Sequence, residues 1–415
     1  MPLPQEFIDY TSALFGEQRW QNFLKAFDEP QTTSIRFNPW KLPKEQIFEN
    51  IQPIPWCQQA YWLSERPNFT LDPLFHAGVY YVQEAGSLFL DYVLHQYVKE
   101  PVLALDLCAA PGGKSTLMCA ALPKGSVLVS NEPDRRRANI LLENMLKQGH
   151  PDVLVTHNLP HDFKQTDWSF DVILTDVPCS GEGLFRKDAG AIKEWSLANV
   201  NFCQQRQRKI LQDIWGCLRE GGLLIYSTCT FNTRENEENI RFIMQELGAD
   251  ILSVSVKPEW QITGSLLKDF SYPVYRFIPG ITRSEGLFMA ILRKKGTPSK
   301  PALLPQTALR HAKANKLIHL LSDGKPQPEQ KGKEEIPTAA QALSLSFSKG
   351  KYPQVELTLE QARRYLHRES FALPAQTPKG FVIVCYKNHA LGFMKNLGDR
   401  ANNLYPKNWA IRQNI

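Results

Sequence analysis

None of the eight cysteines (57, 108, 119, 179, 203, 217, 229 and 385) belongs to a C-x-x-C pair, which argues against a zinc site. No run of about 18 apolar residues occurs, so a membrane span is excluded. The first residues, MPLPQEFIDYTSALFGEQRW, lack a basic segment followed by an apolar one, so secretion is not expected. The thiols are therefore expected to be reduced, in a cytoplasmic protein. The dinucleotide fingerprint G-x-G-x-x-G is absent, and so is a complete phosphate loop. No internal repeat is evident. What remains is an ordinary globular composition, 43% hydrophobic and 11% aromatic, spread over 415 residues, enough for two or three domains.

Charge is unevenly divided. The net charge is +6, yet residues 296–415 hold 18 Lys and Arg against 8 Asp and Glu, so the preceding residues are faintly acidic. A basic C-terminal third on such a body points to a polyanionic partner; charge alone does not separate this from a tail with surplus lysines.

From residue 102 to about 295, short apolar runs alternate with helical stretches. Expected strands are 102–107, 126–132, 153–156, 170–177, 223–229 and 287–293; expected helices are 114–122, 134–149 (ending at Gly149), 197–218 and 236–247. Strands alternating with helices imply an α/β fold with a doubly wound, mostly parallel sheet. Residues 1–75 read as a small α+β accessory region. Residues 296–340, rich in Pro, Lys, Gln and Gly, read as a linker with one short helix around 308–321. Residues 341–415, with GFVIVCYKNHALGF, read as a small β-rich domain.

Ligands of such sheets sit beyond the carboxyl ends of the central strands. There the first strand runs into Cys108-Ala109-Ala110-Pro111-Gly112-Gly113-Lys114-Ser115-Thr116, whose small residues and glycines let backbone approach a ligand at a helix N-terminus. A Walker A loop would need glycine where Cys108 stands. A dinucleotide or S-adenosylmethionine would need an acceptor for ribose hydroxyls after the second strand, and Glu132 lies there, 19 residues beyond Gly113. That position fits ribose without separating the two, and a solvated glutamate beside a tight turn would look the same. Asp176-Val177-Pro178-Cys179 and Ser227-Thr228-Cys229 end two further strands. A lone buried cysteine is more often inert filler; two at carboxyl strand ends, with an aspartate and a Gly-rich loop, point to chemistry.

Several stretches resemble one family. DLCAAPGGKST (106–116), DVPCSGEGLFRKD (176–188) and YSTCTFNTRENE (226–237) are similar to signature stretches of the Sun/Nop-type RNA cytosine-5 methyltransferases. SIRFNPWK (34–41), HAGVYYVQEAGSLF (76–89) and YRFIPGITRSEGLFMAILRK (275–294) resemble other motifs of that family. GFVIVCYKNHALGF with LYPKNWAIR (404–412) resembles the PUA-like RNA-binding tail of RsmF-type bacterial members. The resemblance covers nearly the whole chain.

It implies a Rossmann-like class I methyltransferase that uses S-adenosylmethionine and methylates cytosine C5 in 16S ribosomal RNA of the small subunit, in the decoding region. Cytosine C5 is a poor nucleophile, so a thiolate first adds at C6 and makes C5 enamine-like. Spacing does not tell which thiol attacks. The resemblance assigns Cys229 as nucleophile, Cys179 to product release and Asp176 to the base. It places Cys108 to Lys114 around the methyl donor and Glu132 on its ribose. Two departures stand out. Where many members carry an acidic residue for the adenine side, this chain has Asn158, with Asp162 as the alternative. Where they read Pro-His, it has Pro279-Gly280. Lys187 is a substrate-side candidate. No metal is expected, and a monomer is expected because no pattern calls for an oligomer. The C-terminal interleaving of Tyr386, Phe393, Tyr405 and Trp409 with Lys387, Lys395, Lys407 and Arg412 suits RNA, through stacking and phosphate neutralisation, although the same rings could simply fill a small core. Competing readings are the same chemistry on transfer RNA or another ribosomal site, a non-catalytic assembly factor, and a nucleotide hydrolase.

Overall fold

The computed structural model describes residues 3–297 and 305–413. Four short strands, β1 (Thr33–Phe37), β2 (Gln52–Pro53), β3 (Ala60–Leu63) and β4 (Tyr80–Val82), form an antiparallel sheet in the order β2-β3-β1-β4. The main sheet contains β5 (Leu103–Asp106), β6 (Val127–Asn131), β7 (Val153–Thr156), β8 (Phe170–Asp176), β9 (Leu218–Thr228), β10 (Ala249–Leu252), β11 (Tyr275–Phe277), β12 (Leu287–Lys294) and β13 (Leu320–Ser322). Its order is β10-β12-β9-β8-β5-β6-β7-β13, with β11 also paired to β12. Strands β5 to β9 are mutually parallel; β12, β10 and β13 are antiparallel additions at the two edges. The α/β architecture with a central parallel sheet is the one expected.

Alternation along these strands builds two cores. Ala104, Leu128, Val172 and Ile225 face the helix Phe89–Tyr97 side, whereas Leu103, Leu105, Val129 and Ile173 face Phe163, Leu211 and Ile240. Each such aliphatic side chain taken from water contributes roughly 1.5–3 kcal/mol. Between β6 and β7 the helix Arg135–Gln148 starts on the Asp134 carboxylate, which accepts from Arg137 N at 2.9 Å, and stops at left-handed Gly149.

The helix expected over 197–218 ends at Ile214 and a 3₁₀ turn, and residue 218 already belongs to β9. Strands β10, β11 and β13 lie outside the expected set. The stretch expected as linker, of which 298–304 lie outside the described residues, carries a helix, Ala308–Ala314, shorter than anticipated, and then β13, which lies against β7. Beyond it come the hairpin β14 (Glu329–Lys331) and β15 (Glu334–Ile336) and a last sheet, β16 (Gln354–Glu356), β17 (Gly380–Tyr386), β18 (His389–Asn396) and β19 (Ala401–Asn403), in that order. Of the aromatics noted near the C-terminus, Phe393, Tyr405 and Trp409 are buried in its core. No helix among the described residues is long and apolar enough to cross a membrane.

The N-terminal region is fastened to the main α/β unit. β4 lies beyond residue 75 yet completes its sheet through Ile35 opposite Val82. Arg36 donates to Thr116 Oγ1 at 2.8 Å, Asn38 to the carbonyls of Gly78 and Gln148, and buried Lys41 to those of Ala77 and Lys147. The helices Gln5–Phe15 and Glu17–Asp28 insert Phe7, Phe15, Trp20 and Phe23 against Phe185, Trp195 and Phe231, on the loops that follow β8 and β9. A Cβ on Gly280 would lie 2.1 Å from the Asn22 carbonyl, and its φ is +78°. The second helix therefore leaves no room for a side chain there, which accounts for the departure from Pro-His.

Arg276 anchors the loop after β9. It is buried, pairs with buried Glu237 and donates to the Phe231 carbonyl at 2.8 Å. Arg276→Met would leave a carboxylate buried without its cation. We expect a loss of about 3–5 kcal/mol, measured by urea unfolding; a loss under about 1 kcal/mol would contradict this.

Candidate active site

The parallel register carries the carboxyl ends of β5, β8 and β9 to one edge, where Asp106 is level with Leu174 and Asp176 pairs with Ser227. A cavity of about 370 Å³ opens there. Its lining includes Asp106, Cys108 to Pro111, Gly113, Lys114, Asp176, Lys187 and Cys229.

The loop after β5 is shaped for close approach. Gly112 adopts φ +115° and leads into the helix Gly113–Ala121, whose first residues, Gly113 and Lys114, line the cavity. Asn144 donates to the Pro111 carbonyl and Arg137 to that of Ala110, both at 2.8 Å. Asp106 is fully buried. One of its oxygens accepts from Ser115 Oγ at 2.6 Å, and the other has no partner. Burial pushes this carboxyl up to about 7. Asp106 belongs to the cavity lining. Sequence reading did not single Asp106 out; it was visible only as the first letter of the loop motif.

Glu132 follows β6 and is buried. Its carboxylate accepts from Ala110 N at 3.2 Å and Asp134 N at 3.1 Å, with Arg137 3.5 Å away. It sits behind the loop rather than in the cavity lining, but a carboxylate retains further lone pairs. Asn158 is different. Its amide donates to the Leu317 carbonyl at 2.7 Å and to Asp162 at 3.2 Å, and its oxygen accepts from His319 N at 3.0 Å. The polar atoms of Asn158 are thus consumed in docking the segment around β13, and it does not line the cavity. Asp162 is likewise engaged, accepting from Leu159 N at 2.8 Å.

Asp176 is held from both sides, by Lys114 Nζ at 2.7 Å and by Ser227 Oγ at 2.7 Å. Burial alone would lower the Lys114 ammonium, but the Asp176 carboxylate outweighs it and leaves the group raised. Lys114 is also within electrostatic reach of Cys229.

The sulfurs of Cys179 and Cys229 lie 3.2 Å apart, and neither cysteine is in a disulfide. Of the two, only Cys229 lines the cavity. Cys179 is pushed well up, first by its hydrogen bond with Cys229 and then by burial, so it keeps its proton. A buried polar network locks the two loops together. Gly183 N donates to the Cys229 carbonyl at 2.8 Å. Glu182 accepts from Trp195 Nε1 and Asn232 N, and Glu235 from Ser180 N, Gln207 Nε2 and Asn232 Nδ2. Burial, then the nearby Glu182 charge, pushes Glu235 up to about 7. Glu182 and Glu235 were legible only as acids inside otherwise recognisable motifs.

Residues 93–293 match the family model described as 16S rRNA methyltransferase RsmB/F, residues 3–85 that of the N-terminal domain of 16S rRNA methyltransferase RsmF, and residues 352–411 that of the methyltransferase RsmF PUA domain. A Ribosomal RNA small subunit methyltransferase F from Shewanella sp. (strain MR-4) is 30% identical over 98% of this chain and 96% of its own length. The chain belongs to the RsmF-type methyltransferases. A second relative of the same name, from Erwinia tasmaniensis, is 27% identical over 97% of this chain and 96% of its own. Among solved structures, a methyltransferase homologue from Pyrococcus horikoshii aligns with 24% identity and a TM-score of 0.57, covering 70% of this chain and all of that one. NSun6 from Pyrococcus horikoshii, solved with SFG, aligns with 19% identity and a TM-score of 0.59 over 71% and 99%. These RsmF-type relatives span the full length, so the protein is a methyltransferase whose flanking domains are part of the same family plan.

Proposed function

We propose that this methyltransferase modifies cytosine C5 in 16S ribosomal RNA, in the decoding region of the small subunit, with Cys229 as the attacking thiolate. The observation that carries the reading is the sulfur pair: two cysteines from adjacent strand ends, 3.2 Å apart, of which only Cys229 faces the cavity.

S-Adenosylmethionine, when bound, supplies an electrophilic methyl group on a sulfonium. The chain's residues suit it: the glycine-containing turn from Cys108 to Lys114 and Asp106 in the cavity lining, and Glu132 for the ribose. The Asn158 side chain is already bonded elsewhere and is not assigned to the adenine side. Glu132→Gln keeps an acceptor for Ala110 N–H and loses the charge. We expect it to raise the KM for S-adenosylmethionine by about tenfold with little change in kcat, measured by initial rates; an unchanged KM would remove Glu132 from the donor site.

On the RNA side, the Cys229 sulfur donates its electron pair to C6, and the C5–C6 π electrons shift onto C5 and the ring. Asp176, oriented by Lys114 and Ser227, hydrogen-bonds N3 and N4 of the base, which favours the protonated adduct and selects cytosine. After methylation at C5, a base takes the C5 proton, the C5–H electron pair restores the double bond, and the C6–S bond breaks with its pair on the Cys229 sulfur. Cys179, protonated and beside the departing sulfur, assists that release. A cytosine within a helix must first be turned out to expose C6. Lys187, exposed and in the cavity lining, suits the RNA backbone. The test is labelled methyl transfer to small-subunit RNA and intact subunits, followed by nucleoside digestion. We expect 5-methylcytidine; label in transfer RNA only, or donor binding with no transfer to any RNA, would replace this reading with one of its competitors.

A further inference from the structure

The motif SIRFNPWK has one residue that its structural duties leave over. Arg36, Asn38 and Lys41 are buried in bonds to neighbouring elements, whereas Trp40 is 42% exposed. Its position is fixed, since Trp40 N donates to Asn38 Oδ1 at 3.2 Å and its ring lies 4.7 Å from that of His150. The two rings border a cavity of about 430 Å³, larger than the lower limit for small-molecule sites. Further walls come from Leu122, Pro123, Lys124, Pro151 and, from the C-terminal part of the chain, Leu345. Lys124 to Ser126 precede β6, and His150 to Asp152 precede β7. The cavity therefore lies at the amino ends of these parallel strands, opposite the edge that carries Cys229.

The charged residues of its lining are Lys124 and Asp152. Among the described residues, Lys124 takes part in no ion pair. Asp152 contributes the acid of the cavity wall. Its own N–H donates to His150 Nδ1 at 3.2 Å, and burial holds that imidazole down, so the ring is neutral and carries its proton on Nε2. Two aromatic faces, a ring N–H and the Lys124 ammonium match an unpaired nucleotide: base against rings, phosphate toward Lys124 and away from Asp152.

We propose that Trp40 and His150, with Lys124, form a second RNA contact that holds an unpaired nucleotide of the substrate away from the reacting cytosine. This rests on the reading of the substrate as RNA, and it adds a site to it. Such a contact anchors a large RNA without touching the chemical step, and a fragment limited to the target loop cannot reach it.

The full-length protein is tested as wild type, Trp40→Ala, Trp40→Phe and Lys124→Ala. Binding of naked small-subunit RNA is read by filter retention without methyl donor, and methyl transfer is read on that RNA and on a short hairpin holding only the target loop. Trp40→Ala is expected to weaken binding and raise KM for the long RNA by about tenfold, with kcat unchanged and the hairpin unaffected. Trp40→Phe should recover most of the affinity. Lys124→Ala should flatten the dependence of log Kd on log salt by about 1. Unchanged binding of naked RNA by Trp40→Ala would overturn the proposal, as would a loss seen only with assembled subunits, which would mark a protein contact. Equal losses on long RNA and hairpin would make Trp40 merely structural. If wild type binds RNA but methylates none, the catalytic reading fails while the binding arm still decides this site.

Discussion

Cys229→Ala is expected to lower methyl transfer by at least about 10⁴-fold, with binding of S-adenosylmethionine and RNA retained. The size follows from the chemistry: without addition at C6, C5 has no enamine character. The other cysteine of the cavity lining, Cys108, cannot substitute, because burial pushes its thiol up and holds its proton on. The fold should survive, because Cys229 is partly exposed and its side chain meets a single hydrogen-bonding partner, Cys179. The checks are single-turnover transfer with excess enzyme, thermal unfolding, and donor titration. Residual activity within about tenfold of wild type would mean that Cys229 does not attack.

Cys179→Ala is expected to trap the reaction half-way. Addition and methylation should proceed, since the attacking sulfur is intact, but release loses the proton-bearing group 3.2 Å from that sulfur. We expect turnover to fall by about 100-fold or more while a covalent RNA–protein species accumulates, visible as a band resistant to denaturing electrophoresis. An adduct that instead accumulates in Cys229→Ala, with Cys179→Ala dead and adduct-free, would reverse the two roles. The raised Cys179 thiol gives the direction: a sulfur that holds its proton is suited to assist departure rather than to attack.

Much of this site was legible before any coordinates. Short apolar runs alternating with helical stretches marked strands β5, β6, β7, β8 and β9, and doubly wound topology requires their carboxyl ends to converge, bringing Cys108 to Lys114, Asp176 and Cys229 together. What was not legible has physical reasons. The resemblance makes Asn158 the candidate for an adenine contact, yet its bonds go to residues 317–319, and a distant antiparallel edge strand leaves no local signal in sequence. β10, β11 and β13 are three or four residues long, too short for a period to show. Gly280 read as a departure; the Asn22 carbonyl that forbids a side chain there belongs to a helix near the start of the chain. Glu182 and Glu235 look like surface acids until the loops fold over them.

The most direct test uses small-subunit RNA carrying 5-fluorocytidine. Fluorine at C5 cannot leave as a cation, so once the methyl group is in place the double bond cannot re-form and the sulfur stays bonded to C6. After protease and nuclease digestion, mass spectrometry locates the nucleotide on the peptide. We expect a methylated 5-fluorocytidine on the peptide that contains Cys229. A nucleotide on Cys179, or methylation of ordinary RNA with no adduct on the fluorinated substrate, would contradict the account.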